Sequence, residues 1–161
     1  MLGNLGRPLA VPAYRGYAFG NFISTNGRWA HRVAVGWLMW DLTHSSAWLG
    51  VVSFADLAPA LIVPIFGGVI ADRIGGVPMV RVTVILGSIF AAVLAALNFA
   101  GWVNPWVVVA LVTALGMGEA FAGPARASIV YNLVPRDSLS SAIALNTAIF
   151  NSCRLLGPAI A

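Results

Sequence analysis

Two carboxylates, Asp56 and Glu119, stand inside long apolar runs. A carboxyl group kept from water can carry a proton, or it can neutralise a cation. Cations are near at hand. Asn21, Thr25, Arg28 and Arg32 recur at spacings of four, three and four residues, which is one face of an α-helix. Ser24 and His31 flank that stripe. Thr147, Asn151, Arg154 and Pro158 repeat the same spacing near the C-terminal end. The chemistry on offer is proton exchange, ion pairing and attraction of an anionic or polar solute. Catalysis is not indicated. His31 and His44 are too few and too far apart for a metal site. The chain has no nucleophile elbow and no glycine loop to cradle phosphate. Neither an enzyme nor a cofactor is expected.

Such residues need elements that can hold them. The chain has 161 residues, is 60% hydrophobic and only 9% charged, and has a mean hydropathy of +0.89. A soluble domain carries about 25% charged residues. No soluble core of this size could hide so much apolar surface, so the chain reads as an all-α integral membrane protein with the lipid bilayer as its solvent. A β-barrel fits poorly, because the apolar runs are long and do not alternate. The net charge is +4 and every basic residue is Arg. Those arginines are scattered singly, so no nucleic-acid partner is expected. The one cysteine, Cys153, reads as a small buried residue.

A helix crosses the hydrocarbon with about 20 residues. Five segments fit: roughly 17–40, 48–71, 78–100, 105–133 and 140–161, after an arm at 1–16 that lacks the apolar core of a signal peptide. Trp40, Trp48, Trp102 and Trp106 mark span ends, where amphipathic rings prefer the headgroup layer. The connections "DLTHSSA" and "GWVN" carry no Arg. Arg7 and Arg15 lie in the arm, Arg73 and Arg81 about the second connection, and Arg126 and Arg136 about the fourth. The positive-inside rule therefore places the N-terminus and the second and fourth connections in the cytoplasm. The fifth run ends without a loop or tail, as expected of a fragment or truncated product of a longer polytopic protein.

A charge at mid-bilayer costs at least about 2.5–3.5 kcal/mol, so these residues must be paired, wet or facing other helices. The stripe on the first span faces either a packing interface or an aqueous cavity. Asp56 and Arg32 each lie roughly 12 Å from the outer end of their spans at 1.5 Å per residue. They are candidates for an ion pair, structural or functional. On the fourth span Gly116, Glu119, Gly123 and Arg126 share a face at spacings of three, four and three. Glu119 is either a proton carrier or the structural partner of Arg126 or Arg28. Pro124 can kink that span. The third span has few polar residues and is the natural lipid-facing helix.

The stretch "GGVIADRIGG" resembles the cytoplasmic signature between spans two and three of the major facilitator superfamily. Gly68, Asp72, Arg73 and Gly75 match. Gly76 and Val77 stand where that pattern has a basic pair, and Arg81 is the later base. Pro124-Ala125-Arg126, Leu133-Val134-Pro135-Arg136, Asn151, Arg154 and Gly157-Pro158 resemble, in order and spacing, the superfamily branch of secretion and efflux proteins that includes the enterobactin exporter. Gly157-Pro158 also resembles the start of the span-five antiporter motif. The resemblance implies the N-terminal part of a twelve-helix fold whose midplane site lies between two halves. It implies a secondary transporter in the plasma membrane, here of bacterial inner-membrane type, working on a small molecule and protons. Asp72 and Arg73 become a gating pair, with Arg81 beside it, and Asp72 latches onto a helix of the missing C-terminal half. The other function considered is a non-transporting scaffold or receptor, or an inactive remnant.

Overall fold

A computed structural model describes residues 6–63 and 73–160. The described chain is helical, with no strand among those residues. A 3-10 turn, Arg7–Ala10, leads into α1 (Pro12–Thr43). Then come α2 (Ser46–Leu57), α3 (Gly76–Phe99), α4 (Pro105–Leu133), a second 3-10 turn Arg136–Ser138, and α5 (Leu139–Ile160). After a turn at Ala58 the helix begun by α2 goes on to Val63. Pro59 explains the turn, since it has no N–H to return to the carbonyl of Ala55. Gly68 and Asp72 of the signature lie outside the described residues.

Among the described residues, three helices are long and apolar enough to cross a membrane: Ser46–Val63, Gly76–Phe99 and Pro105–Leu133. Length does not hold α1 and α5 back; α1 has 32 residues and α5 has 22. Their polar stripes lower their apolar character.

The helix ends follow from local chemistry. Asn104 caps α4, its side-chain oxygen accepting the Val107 N–H at 3.0 Å, with Pro105 in the first position. Gly101, at φ +71°, closes α3, where the Trp102 N–H reaches back to the Leu97 carbonyl at 3.0 Å. His44 ends α1 at φ +46°, a left-handed conformation that histidine tolerates better than most side chains.

The helices fall into two compact units, Met1–Val33 with Ala127–Ala161, and Ala34–Arg126. The first holds the start of α1, the end of α4 and all of α5. Its core is Tyr14, Ala18, Val130, Val134 and Ala142. The second holds the rest. One cluster there joins Val35, Met39, Val52, Leu94, Val108 and Val112, and another joins Met79 and Ala125. α3 buries only Met79, Thr83 and Leu94. Its outward side chains, Ile85 and Ile89 among them, are apolar, as suits a helix with lipid for a neighbour.

Candidate functional site

In the first unit, α1 and α5 meet along polar contacts. The Tyr14 hydroxyl, fully buried, donates to the Ala142 carbonyl at 2.9 Å. Asn21 Nδ2 donates to Asn146 Oδ1 at 2.8 Å. Asn26 Nδ2 donates to the Phe22 carbonyl and to Cys153 Sγ, both at 3.0 Å. Cys153 is wholly buried. Gly157 is where the helices come closest: a methyl there would overlap Trp29 Cβ and crowd the Asn26 carbonyl. Amide and thiol rungs satisfy polar groups that lipid could not.

The cations collect around one ring. Arg32 Cζ lies 4.9 Å from the centroid of Trp29, and Arg154 Cζ lies 5.9 Å from it. Both fall within cation–π range. Phe150 meets Trp29 edge-on at 5.9 Å and 66°. One turn back, Arg28 Nη2 donates to the buried Thr25 hydroxyl at 2.9 Å. The stripe read along α1 therefore divides in kind. Asn21 bonds across to α5, Thr25 anchors Arg28, and Arg32 lies against an aromatic face. On α5, Thr147 and Asn151 turn back on their own helix, bonding the Ile143 and Thr147 carbonyls at 3.0 Å.

In the second unit, Arg126 grips Glu119 with its two terminal guanidinium nitrogens, at 2.8 and 3.3 Å. The pair spans two turns of α4 with Pro124 between its members. Arg126 is 12% exposed and Glu119 29%. Asp56 is half-buried on α2, and Gly116 abuts its backbone, since a methyl at 116 would overlap the Asp56 carbonyl. Nothing among the described residues comes within 4 Å of a methyl built at Gly123, so of the two glycines on that face only Gly116 serves a close approach. Arg32 belongs to the first unit and Asp56 to the second. At the signature, Gly75 takes φ +90°, where an L side chain is strained, and its carbonyl accepts the Met79 N–H that opens α3. Arg73 and Arg81 are exposed.

Sequence reasoning passed over Asn26, Trp29 and Asn146. Asn146 and Asn26 were legible as amides among apolar residues. Trp29 was not, because an aromatic residue within a greasy helix has no signature of its own.

Helices long and apolar enough to cross a membrane, with polar side chains bonded between α1 and α5, define a multi-pass α-helical membrane protein. The family model described as transmembrane secretion effector matches residues 6–161. The chain belongs to that family, within the major facilitator superfamily. It is 29% identical over 142 residues to the staphyloferrin A transporter of Staphylococcus aureus (strain NCTC 8325 / PS 47), covering 88% of this chain and 36% of that protein. It is 30% identical over 112 residues to an uncharacterized MFS-type transporter, y4rN, of Sinorhizobium fredii (strain NBRC 101917 / NGR234), covering 70% and 28%. The chain thus spans about a third of the length of the curated relatives it matches. No solved structure matches it.

Proposed function

We propose that this chain is the N-terminal part of a secondary transporter that exports a small molecule across the plasma membrane by alternating access, driven by protons. The observation that carries the proposal is the gathering of Arg28, Arg32 and Arg154 on facing helices of one unit. Arginines on such helices cannot face lipid without a large cost, so they face an aqueous pathway. They make that pathway attractive to an anionic or polar solute. Asn21 and Asn151 complete its polar lining, and the buried Thr25 holds Arg28.

The Glu119–Arg126 pair supports the coupling step. Both guanidinium hydrogen bonds need an ionised carboxylate. A proton taken up by Glu119 removes the charge that holds Arg126 and frees the cytoplasmic end of α4 to move. Asp56, half-buried on α2, is the second carboxylate in this role. Asp72 and Arg73 form the cytoplasmic gate, Asp72 latching onto the opposing half, with Gly75 supplying the sharp turn and Arg81 a further base. Gly157-Pro158, where a break was expected, lies within α5, which runs on to Ile160. The N-terminus faces the cytoplasm of a bacterial inner membrane. The kinship with a staphyloferrin A transporter makes that compound the first substrate to try.

The test is solute accumulation in cells carrying the full-length gene. Export of staphyloferrin A, or of another small solute found by profiling the medium, should appear with the gene and collapse on adding a protonophore. An unchanged solute profile with and without the gene would favour a scaffold, receptor or inactive remnant.

A further inference from the structure

We propose that the N-terminal arm, the start of α1 and the turn before α5 form a docking surface for an anionic phospholipid. Arg7, Arg15 and Arg136 supply the positive charge for its headgroup, and the flank of α1 takes an acyl chain. The surface needs only a membrane protein and stands whether or not that protein moves solute. Three pieces of backbone meet there in one core cluster. Val11 from the arm and Leu139 from the start of α5 pack against Tyr14, Val134 and Ala142. Pro8 is fully buried, and the Tyr14 hydroxyl donates to the Ala142 carbonyl at 2.9 Å. Arg7 precedes Pro8, Arg15 follows Tyr14, and Arg136 opens the turn just before α5. All three arginines are exposed.

The charge is one-sided. Asp137, exposed beside Arg136, is the sole acidic residue of the first unit, so three arginines against one aspartate leave a surplus of two positive charges at this end. Guanidinium forks match phosphate oxygens. An anionic lipid surface attracts such arginines, by about fivefold in affinity for each one near the surface. Below the charge the surface turns apolar. Arg15, Phe19 and Ile23 recur at spacings of four residues, which is one side of α1. Phe19 is 67% exposed and Ile23 55%, and at 1.5 Å per residue the row reaches roughly 12 Å from Arg15. Tyr14, Ala18 and Asn21 turn the other way, into the core cluster and α5. A nucleotide or an acidic peptide gains nothing from an exposed apolar row beneath its charge. A phospholipid carries an anionic head and a hydrocarbon chain in that order.

Lipid retention by the full-length protein, immobilised in neutral detergent, tests this. The protein is offered equal amounts of phosphatidylglycerol and phosphatidylcholine and washed, and the retained lipid is counted by mass spectrometry. Wild type should retain phosphatidylglycerol at least about fivefold over phosphatidylcholine. Arg7→Gln combined with Arg15→Gln should bring that ratio below about twofold. Arg73→Gln combined with Arg81→Gln removes the same charge from exposed positions in the second unit, and should leave the ratio as in wild type. Arg7→Lys combined with Arg15→Lys keeps the charge and should keep the preference. An excess of glycerol phosphate, the headgroup without its chains, should displace little of the bound lipid. Equal retention of the two lipids by wild type would overturn the docking surface. So would equal loss in both glutamine pairs, which would be an effect of net charge alone. Displacement by glycerol phosphate would also overturn it, as the mark of a small-anion site.

Discussion

Glu119 can hold Arg126 by both terminal nitrogens only while it is ionised, and this single pair links protonation to the shape of α4. The carboxylate was legible as an oddity in an apolar run. Its partner was not fixed, because Arg126 on the same span and Arg28 on another were both candidates; the geometry shows a pairing with Arg126. Glycine gives a second test at this scale. Gly157→Leu should destabilise the α1–α5 contact by about 1–3 kcal/mol, since its side chain would strike the backbone of Asn26 and the Cβ of Trp29. Gly123→Ala, which meets nothing among the described residues, should be neutral or slightly stabilising. Thermal unfolding in detergent separates them: a lowered Tm for Gly157→Leu only is expected, and equal Tm values would contradict the packing.

Helices differ in what they face, and composition said much of this. The all-helical architecture was legible because apolar runs of this length have no other stable form in lipid. The polar character of α1 and α5 was also legible from spacing. Hidden from the sequence was the division of labour along α1, where Asn21 and Asn26 bond to α5 while Arg32 lies on Trp29. Those outcomes depend on which α5 residues come opposite, and one-dimensional spacing does not encode that. For α3, few side chains are buried and Ile89 is exposed. Ile89→Arg should therefore impair membrane insertion by about 2.5–3.5 kcal/mol on an insertion assay. Undiminished insertion would mean that this face meets water or protein. At the turn into α3, Gly75→Ala must carry a side chain at φ +90°, and should cost roughly 1–2 kcal/mol in thermal stability.

For the whole molecule, each unit brings like connections to one end. Trp48 and Trp106 stack edge to face at 4.9 Å, so in the second unit the two arginine-free connections lie together. In the first unit the Tyr14–Ala142 bond ties the arginine-bearing arm to the start of α5, beside Arg136. Charge counting along the sequence reads the same alternation without knowing the contacts. In a Cys153→Ser background, a cysteine placed at Ser45 should react with an impermeant maleimide from outside intact cells. One at Ser138 should react only after permeabilisation; the reverse pattern would invert the proposed topology. Proton-driven movement of solute remains the central proposal. It is tested most directly by reconstituting the full-length protein in vesicles with an imposed pH gradient, and comparing wild type with Glu119→Gln. Gradient-driven transport should vanish in the variant while its insertion and melting temperature hold. Transport at the wild-type rate by Glu119→Gln would contradict the role given to the Glu119–Arg126 pair.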